Sequence, residues 1–219
     1  PTPPTFPVPL HPDLSVYTPS LKSPINLSKS NGSGLFLILP RTARRPGFSS
    51  MEVMVGLTKE YDQYFQQFCF IYFSGLVTWP WLKAQAIQES GLRHDALSPA
   101  GARGIMQIMP ATAQEIAKHF QVVPNLDDPK TSIMFGAHYL RRMWDIFKAE
   151  QGLERLRFAF GAYNAGAGNI IKAQSKASRK DVWESVSAML PDVTGGANAK
   201  QTTDYVRRIE KVRLGMIDI

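Results

Sequence analysis

Glu89 closes the stretch Trp81-Leu82-Lys83-Ala84-Gln85-Ala86-Ile87-Gln88-Glu89-Ser90-Gly91, in which Leu82, Ala86 and Glu89 recur at helical spacing. The spacing sets the acid on the same side of a helix as packing residues, an expensive place for a charge. Pro80 suits a first helical turn and Gly91 a C-terminal exit, so Glu89 also stands near the negative end of the helix dipole. Both effects raise a carboxyl pKa, and a glutamate still protonated near neutral pH can donate a proton to a leaving group. A solvated glutamate in a last helical turn is the ordinary alternative, and the residues that follow decide between them.

The turn Ser98-Pro99-Ala100-Gly101 combines a proline with fixed φ and a glycine for a left-handed position, which folds the chain back toward the end of the Glu89 helix. Met106 and Gln107 pair a soft apolar surface with an amide that both donates and accepts, a combination suited to a sugar ring. As isolated residues they would be core filling and a surface amide. Tyr163-Asn164-Ala165-Gly166 joins two helices through small residues, and its aromatic and amide side chains can meet a saccharide, or Asn164 can cap a helix. Ser98 by itself need only shape its turn, and Tyr205, alone on a terminal helix, would be core.

The elements that must hold these residues are helical. The pattern predicts helices over roughly 59–74, 80–90, 111–120, 129–149, 153–163, 168–177, 180–190 and 202–216. The best supported starts after Asp128-Pro129, a cap followed by proline at the first helical position, with Ile133, Ala137, Leu140, Trp144 and Phe147 on one apolar face. Gly, Ser and Pro between 91 and 110 break the helical pattern, and Ile105 to Met109 reads as a short strand. The fold class is therefore mainly α, with a small β or irregular insert directly after the Glu89 helix.

At 219 residues, 44% hydrophobic and 20% charged, the chain can bury one sizeable core. Residues 1–50 are rich in Pro, Ser, Thr, Asn and Gly, lack a sustained period and end in Arg41-Thr42-Ala43-Arg44-Arg45-Pro46; they read as a flexible basic arm, a linker or an added extension ahead of a domain over 51–219. Of the net charge of +7, this segment holds +4, from five Lys/Arg against one Asp, so the basic excess is partly a tail property and does not choose among polyanions. Cys69, the single cysteine, lies in Phe68-Cys69-Phe70-Ile71-Tyr72-Phe73 and reads as core. The apolar runs, Phe68 to Val77 and Gly34 to Pro40, fall short of the roughly 20 residues of a membrane helix, and the start of the chain does not read as a secretory signal.

Four blocks in order, Glu89-Ser90-Gly91, Leu97 to Pro110, Ala162 to Gly166 and Gln201 to Val206, resemble the catalytic domain of the soluble lytic transglycosylases, which cleave peptidoglycan on a goose-type lysozyme-like scaffold. The resemblance spans about residues 59–215. It implies a lysozyme-like α+β fold, Glu89 as the catalytic acid, and a glycan cleft lined by Ser98, Met106, Gln107, Tyr163 and Asn164. It implies further that the Tyr205 hydroxyl orients the acid and that Ser98 stands beside the acid and a sugar acetamido group. Many members of that family have Glu where this chain has Gln201, so no charge-dependent role carries over there.

Glycosidases ordinarily pair two carboxylates across the scissile bond. Here Asp95 lies in a polar connector, and capping accounts for Asp127 and Asp128. One acid suffices when an N-acetylated sugar supplies its own 2-acetamido oxygen. The resemblance implies that course: cleavage between N-acetylmuramic acid and N-acetylglucosamine, then attack of the muramoyl 6-hydroxyl to close a 1,6-anhydro ring. The implied partner is the peptidoglycan glycan strand, at the bacterial wall in the periplasm or on a phage virion, with phage-particle or secretion-apparatus components as further partners. His11, His94, His119 and His138 have no metal-ligand spacing, and no phosphate loop or serine elbow appears, so no metal and no cofactor are expected. Three alternatives stand beside this: a hydrolytic muramidase, a non-catalytic wall-binding or assembly module, and nucleic-acid binding. Arg141-Arg142, Arg207-Arg208, Lys211 and Arg213 prompt the last, but they read as solvated helix faces.

Overall fold

A computed structural model describes residues 59–215. Among them the chain forms α1 (Asp62–Phe73), α2 (Trp79–Ser90), α3 (Pro110–Phe120), α4 (Pro129–Ile146), α5 (Gly152–Ala165), α6 (Ala167–Lys176), α7 (Trp183–Ser187), α8 (Pro191–Thr194) and α9 (Gly196–Gly215). The architecture is mainly helical, as the periodicity predicts. The expected arm at 1–50 lies outside the described residues.

α5 is the hub, because its sequence is apolar or small all round from Phe158 to Tyr163 and every one of those residues is buried. A helix without a polar face must be covered on several sides. α4, α6, α7 and α9 supply that cover. On the other flank α2 packs against both α1 and α9. Polar links fix these pairings: buried Lys83 of α2 reaches Asp62 of α1 at 2.5 Å, and Arg157 of α5 reaches Glu210 of α9 at 2.5 Å. α4 starts as predicted, with the Asp128 carboxylate accepting the Thr131 N–H at 2.8 Å, and its predicted apolar face is buried. Cys69 is a core thiol whose Sγ donates to the Val77 carbonyl at 3.1 Å.

Three boundaries differ from the sequence reading. The predicted helix over 180–190 is only Trp183–Ser187, begun where the Glu154 carboxylate of α5 accepts the Trp183 N–H at 2.6 Å, a tertiary contact without local signal. The last helix starts at Gly196 rather than near 202, behind the short α8, because Gly195 and Gly196 mask the onset of its period. The predicted strand over Ile105–Met109 is replaced by isolated antiparallel bridges, Leu97 with Arg103 and Arg103 with Ile108. Glycines and turns leave no extended run long enough for a ladder.

A cluster of rings joins α1, α3 and α4. His138 stacks on His119 at 5.6 Å between ring centroids and meets Phe120 and Tyr72 edge-on at 5.0 and 5.5 Å. Its Nδ1 is buried without a partner. Burial, then the neighbouring Arg142 and His119, pushes its pKa from 6.5 down to about 4. A base held neutral in the fold contributes stability that is fully present above the unfolded pKa and is lost as pH falls through the folded one. Thermal stability should therefore decline between pH 6.5 and 4, and His138→Leu should flatten that decline in a series of melting curves; an unchanged slope would contradict the assignment.

Candidate functional site

α2 carries Glu89 in its last turn and ends in the left-handed Gly91, φ 64°, whose N–H closes on the Ile87 carbonyl. Leu82, Ala86 and Glu89 are all buried, and Glu89 is only 3% exposed. From α9, the Tyr205 hydroxyl donates to Glu89 Oε1 at 2.6 Å. Loss of hydration raises the Glu89 pKa from 4.5 to about 8, with the Tyr205 hydrogen bond opposing the rise. Glu89 therefore holds its proton at neutral pH, and Tyr205 fixes its orientation without supplying enough stabilisation to ionise it.

The segment between α2 and α3 folds as a set of linked turns beside this acid. Ser98 N–H donates to the Ala102 carbonyl, Ala102 N–H returns to Ser98 Oγ at 2.9 Å, and Gly101 takes the left-handed position, φ 88°, that the sequence demands. Gln107, at φ 47°, gives both amide protons to carbonyls, those of Ala96 at 3.0 Å and Gly104 at 2.9 Å. Three bonds from its far side attach the segment to the helices, besides Arg93 Nε to the Ser90 carbonyl at 3.1 Å: Ser90 Oγ to the Ile105 carbonyl at 2.8 Å, Met106 N–H to Ser132 Oγ at 3.2 Å, and Tyr163 Oη to the Met106 carbonyl at 2.8 Å. Gly104 allows the closest approach: with φ 78°, a Cβ there would lie 2.0 Å from the Leu126 carbonyl oxygen.

The sequence-singled residues divide in this geometry. Glu89, Tyr205 and Tyr163 come together, the charge of Glu89 being close enough to raise both phenol pKa values beyond the effect of burial. Ser98 is buried and shapes its turn, yet its hydroxyl there is an acceptor and keeps its own proton to give. Met106 departs from expectation. Its side chain has 0% exposure and fills the space against Gly136, where a Cβ would fall 2.4 Å from Met106 Cγ, so it is core and offers no surface to a sugar. Gln107 has its amide donors committed, and only its side-chain carbonyl oxygen is left to accept. Asn164 is half-buried and does not cap α6; its Oδ1 lies 3.0 Å from Thr202 Oγ1 of α9. Gln201 is half-buried on the same helix.

Two participants were missed. Ser90 follows the acid and ties it to the turns, and Gln85 stands one helical turn before it with its amide on Tyr205 Oη at 3.0 Å. The i, i+4 relation of Gln85 to Glu89 was legible.

A second acid is not beside the first. Among the described residues, the only buried carboxylates are Glu89 and Glu150, and Glu150 accepts from Gln174 of α6. Asp95 is exposed, Asp127 pairs with Arg103 at 2.6 Å in solvent, and Asp128 caps α4. No group of three or more His, Cys, Asp or Glu among the described residues could hold a metal ion, and no described helix is long and apolar enough to cross a membrane.

Residues 75–186, which include Glu89, the turns and Tyr163, match the family model of the transglycosylase SLT domain. The chain belongs to this family. Membrane-bound lytic murein transglycosylase F of Maricaulis maris (strain MCS10) is 33% identical over 150 residues, 62% of this chain and 32% of the relative. The protein of the same description from Cellvibrio japonicus (strain Ueda107) is 37% identical over 118 residues, 52% of this chain and 23% of the relative. Among solved structures, the 70 kDa soluble lytic transglycosylase of Escherichia coli superposes with a TM-score of 0.59 at 26% identity, covering 75% of this chain and 25% of that one. An inactive Glu-to-Gln mutant of lytic transglycosylase Slt from Pseudomonas aeruginosa gives 0.57 at 25% identity, over 70% of this chain and 23% of that one. The chain thus spans about a third or less of the length of these relatives.

Proposed function

We propose that this SLT domain is a peptidoglycan lytic transglycosylase that cleaves the β-1,4 bond between N-acetylmuramic acid and N-acetylglucosamine with a single acid, Glu89. The observation that carries the reading is a buried carboxyl held by a tyrosine, its pKa raised by burial, with no second buried carboxylate beside it among the described residues. Glu89 protonates the glycosidic oxygen. The substrate's 2-acetamido oxygen stabilises the oxocarbenium-like centre, in place of the missing carboxylate. The ionised Glu89, still accepting from Tyr205, then takes the proton of the muramoyl 6-hydroxyl as that oxygen attacks C1. Proton count balances: the acid ends as it began, and the product is a 1,6-anhydro sugar with no water added. Ser98, Tyr163, Asn164 and the free oxygen of Gln107 line the substrate side, and Met106 supports them from behind. The partners in this reading are glycan strands of the bacterial wall, reached in the periplasm or from a phage particle or secretion apparatus.

Mass spectrometry of digested peptidoglycan tests the reaction class. The expected fragments end in anhydro-muramic residues, one water lighter than reducing ends. Reducing-end products alone would make the chain a hydrolytic muramidase, and sacculus binding without any fragment would make it a wall-binding module.

A further inference from the structure

Gln85 has no solvent exposure, and its Nε2 donates to Tyr205 Oη at 3.0 Å, while its own Oε1 is buried without a partner. An unpaired amide acceptor in a core is a desolvation cost that an apolar side chain of the same shape avoids. Packing therefore does not account for an amide at this position.

Its effect on Tyr205 does. A phenol has one proton to give, and with the Gln85 N–H occupying the Tyr205 oxygen, that proton points at Glu89 Oε1, 2.6 Å away. Oε1 is then always an acceptor, and the proton of the neutral acid must sit on Oε2. We propose that Gln85 is a positioning residue that, by setting the direction of the Tyr205 hydroxyl, confines the transferable proton to Glu89 Oε2. The inference rests on the reading of Glu89 as the acid. Without Gln85 the hydroxyl is free to turn, and a protonated Glu89 can donate from Oε1 into Tyr205, away from substrate. Tyr205 also loses the polarisation that strengthens its bond to the ionised carboxylate, so the Glu89 titration moves to higher pH.

The ionisable groups that bear on Glu89 are Tyr205 of α9 and Tyr163 of α5. On the packed elements, Asp62 of α1 and Lys83 of α2 engage each other, and Arg157 engages Glu154 and Glu210 between α5 and α9. On the exposed side of α9, Asp204 takes Lys200 and Arg207.

The test uses Gln85→Met and Gln85→Leu in the full chain, with muropeptide release followed across pH and the Glu89 carboxyl followed by carbon-13 NMR titration. The expected result is about a tenfold lower kcat at unchanged KM, a Glu89 titration moved to higher pH, and a melting temperature equal to or above the parent's. In a Tyr205→Phe background the same replacements should change the rate by less than about twofold, because the hydroxyl they act through is gone. Parental kcat and titration in both variants would overturn the inference, as would an undiminished tenfold loss in the Tyr205→Phe background. Glu89→Gln run in parallel separates the two levels. Full activity in that variant removes the reading of the acid, whereas a silent Glu89→Gln beside an unmoved titration in Gln85→Met removes only the role of Gln85.

Discussion

Glu89→Gln should lower wall lysis by roughly 10²–10⁴, the span that general acid catalysis contributes, and leave the fold intact. The amide keeps an acceptor for the Tyr205 hydroxyl at the position now 2.6 Å away, so the geometry persists and only the transferable proton disappears. The variant should also be more stable than the parent in alkaline solution. A carboxyl raised from 4.5 to about 8 is protonated in the fold and ionised in the unfolded chain across that window, so the parent loses stability as pH climbs through it. The glutamine has no such slope. Melting curves of the two proteins should converge near pH 4.5 and separate toward pH 8, and parental activity should hold to about pH 8 and fall above it. Lysis by the glutamine variant near the parental rate, or parental activity that already falls as pH rises above about 5, would sink the assignment.

Gly104→Ala should be the most damaging single methyl in the described residues. At φ 78° a Cβ is strained on its own, and here it would also sit 2.0 Å from the Leu126 carbonyl oxygen and 2.7 Å from Ser132 Oγ. Backbone strain and overpacking together cost about 3 kcal/mol or more, a large share of a stability on the order of 5–15 kcal/mol. The displaced turn holds the Gln107 amide and, through Ile105, the end of α2, so activity should fall with stability. Gly101→Ala is the internal comparison: its φ is 88° but nothing lies within 4 Å of the added carbon. It should cost only the backbone term, about 1 kcal/mol. Equal melting temperatures for the two variants would show that the close approach to Leu126 carries no weight.

Much of this arrangement was readable from residue order. Leu82, Ala86 and Glu89 at helical spacing, Gly91 at the exit, Asp128-Pro129 at the start of α4 and Gly101 in its turn all fall where local chemistry sends them. Their geometry is decided within a few residues of chain. What could not be read is decided across the fold. Met106 has the character of a cleft residue, and only the proximity of Gly136 shows that it is core. The early start of α9 and the Glu154 cap on α7 depend on partners 29 residues away or on glycines that hide a period. Gln85 was visible one turn before the acid, but its importance lies in a hydroxyl 120 positions later.

The turns after α2 spend their backbone and amide groups inward, on Ala96, Gly104, Ser132 and Tyr163, while Leu97 and Arg103 at their rim are exposed. Fastening and display are thus assigned to different side chains. Side-chain changes at the exposed Leu97 leave these inward bonds in place, so the surface of this segment is free to vary while the seat of Glu89 stays fixed.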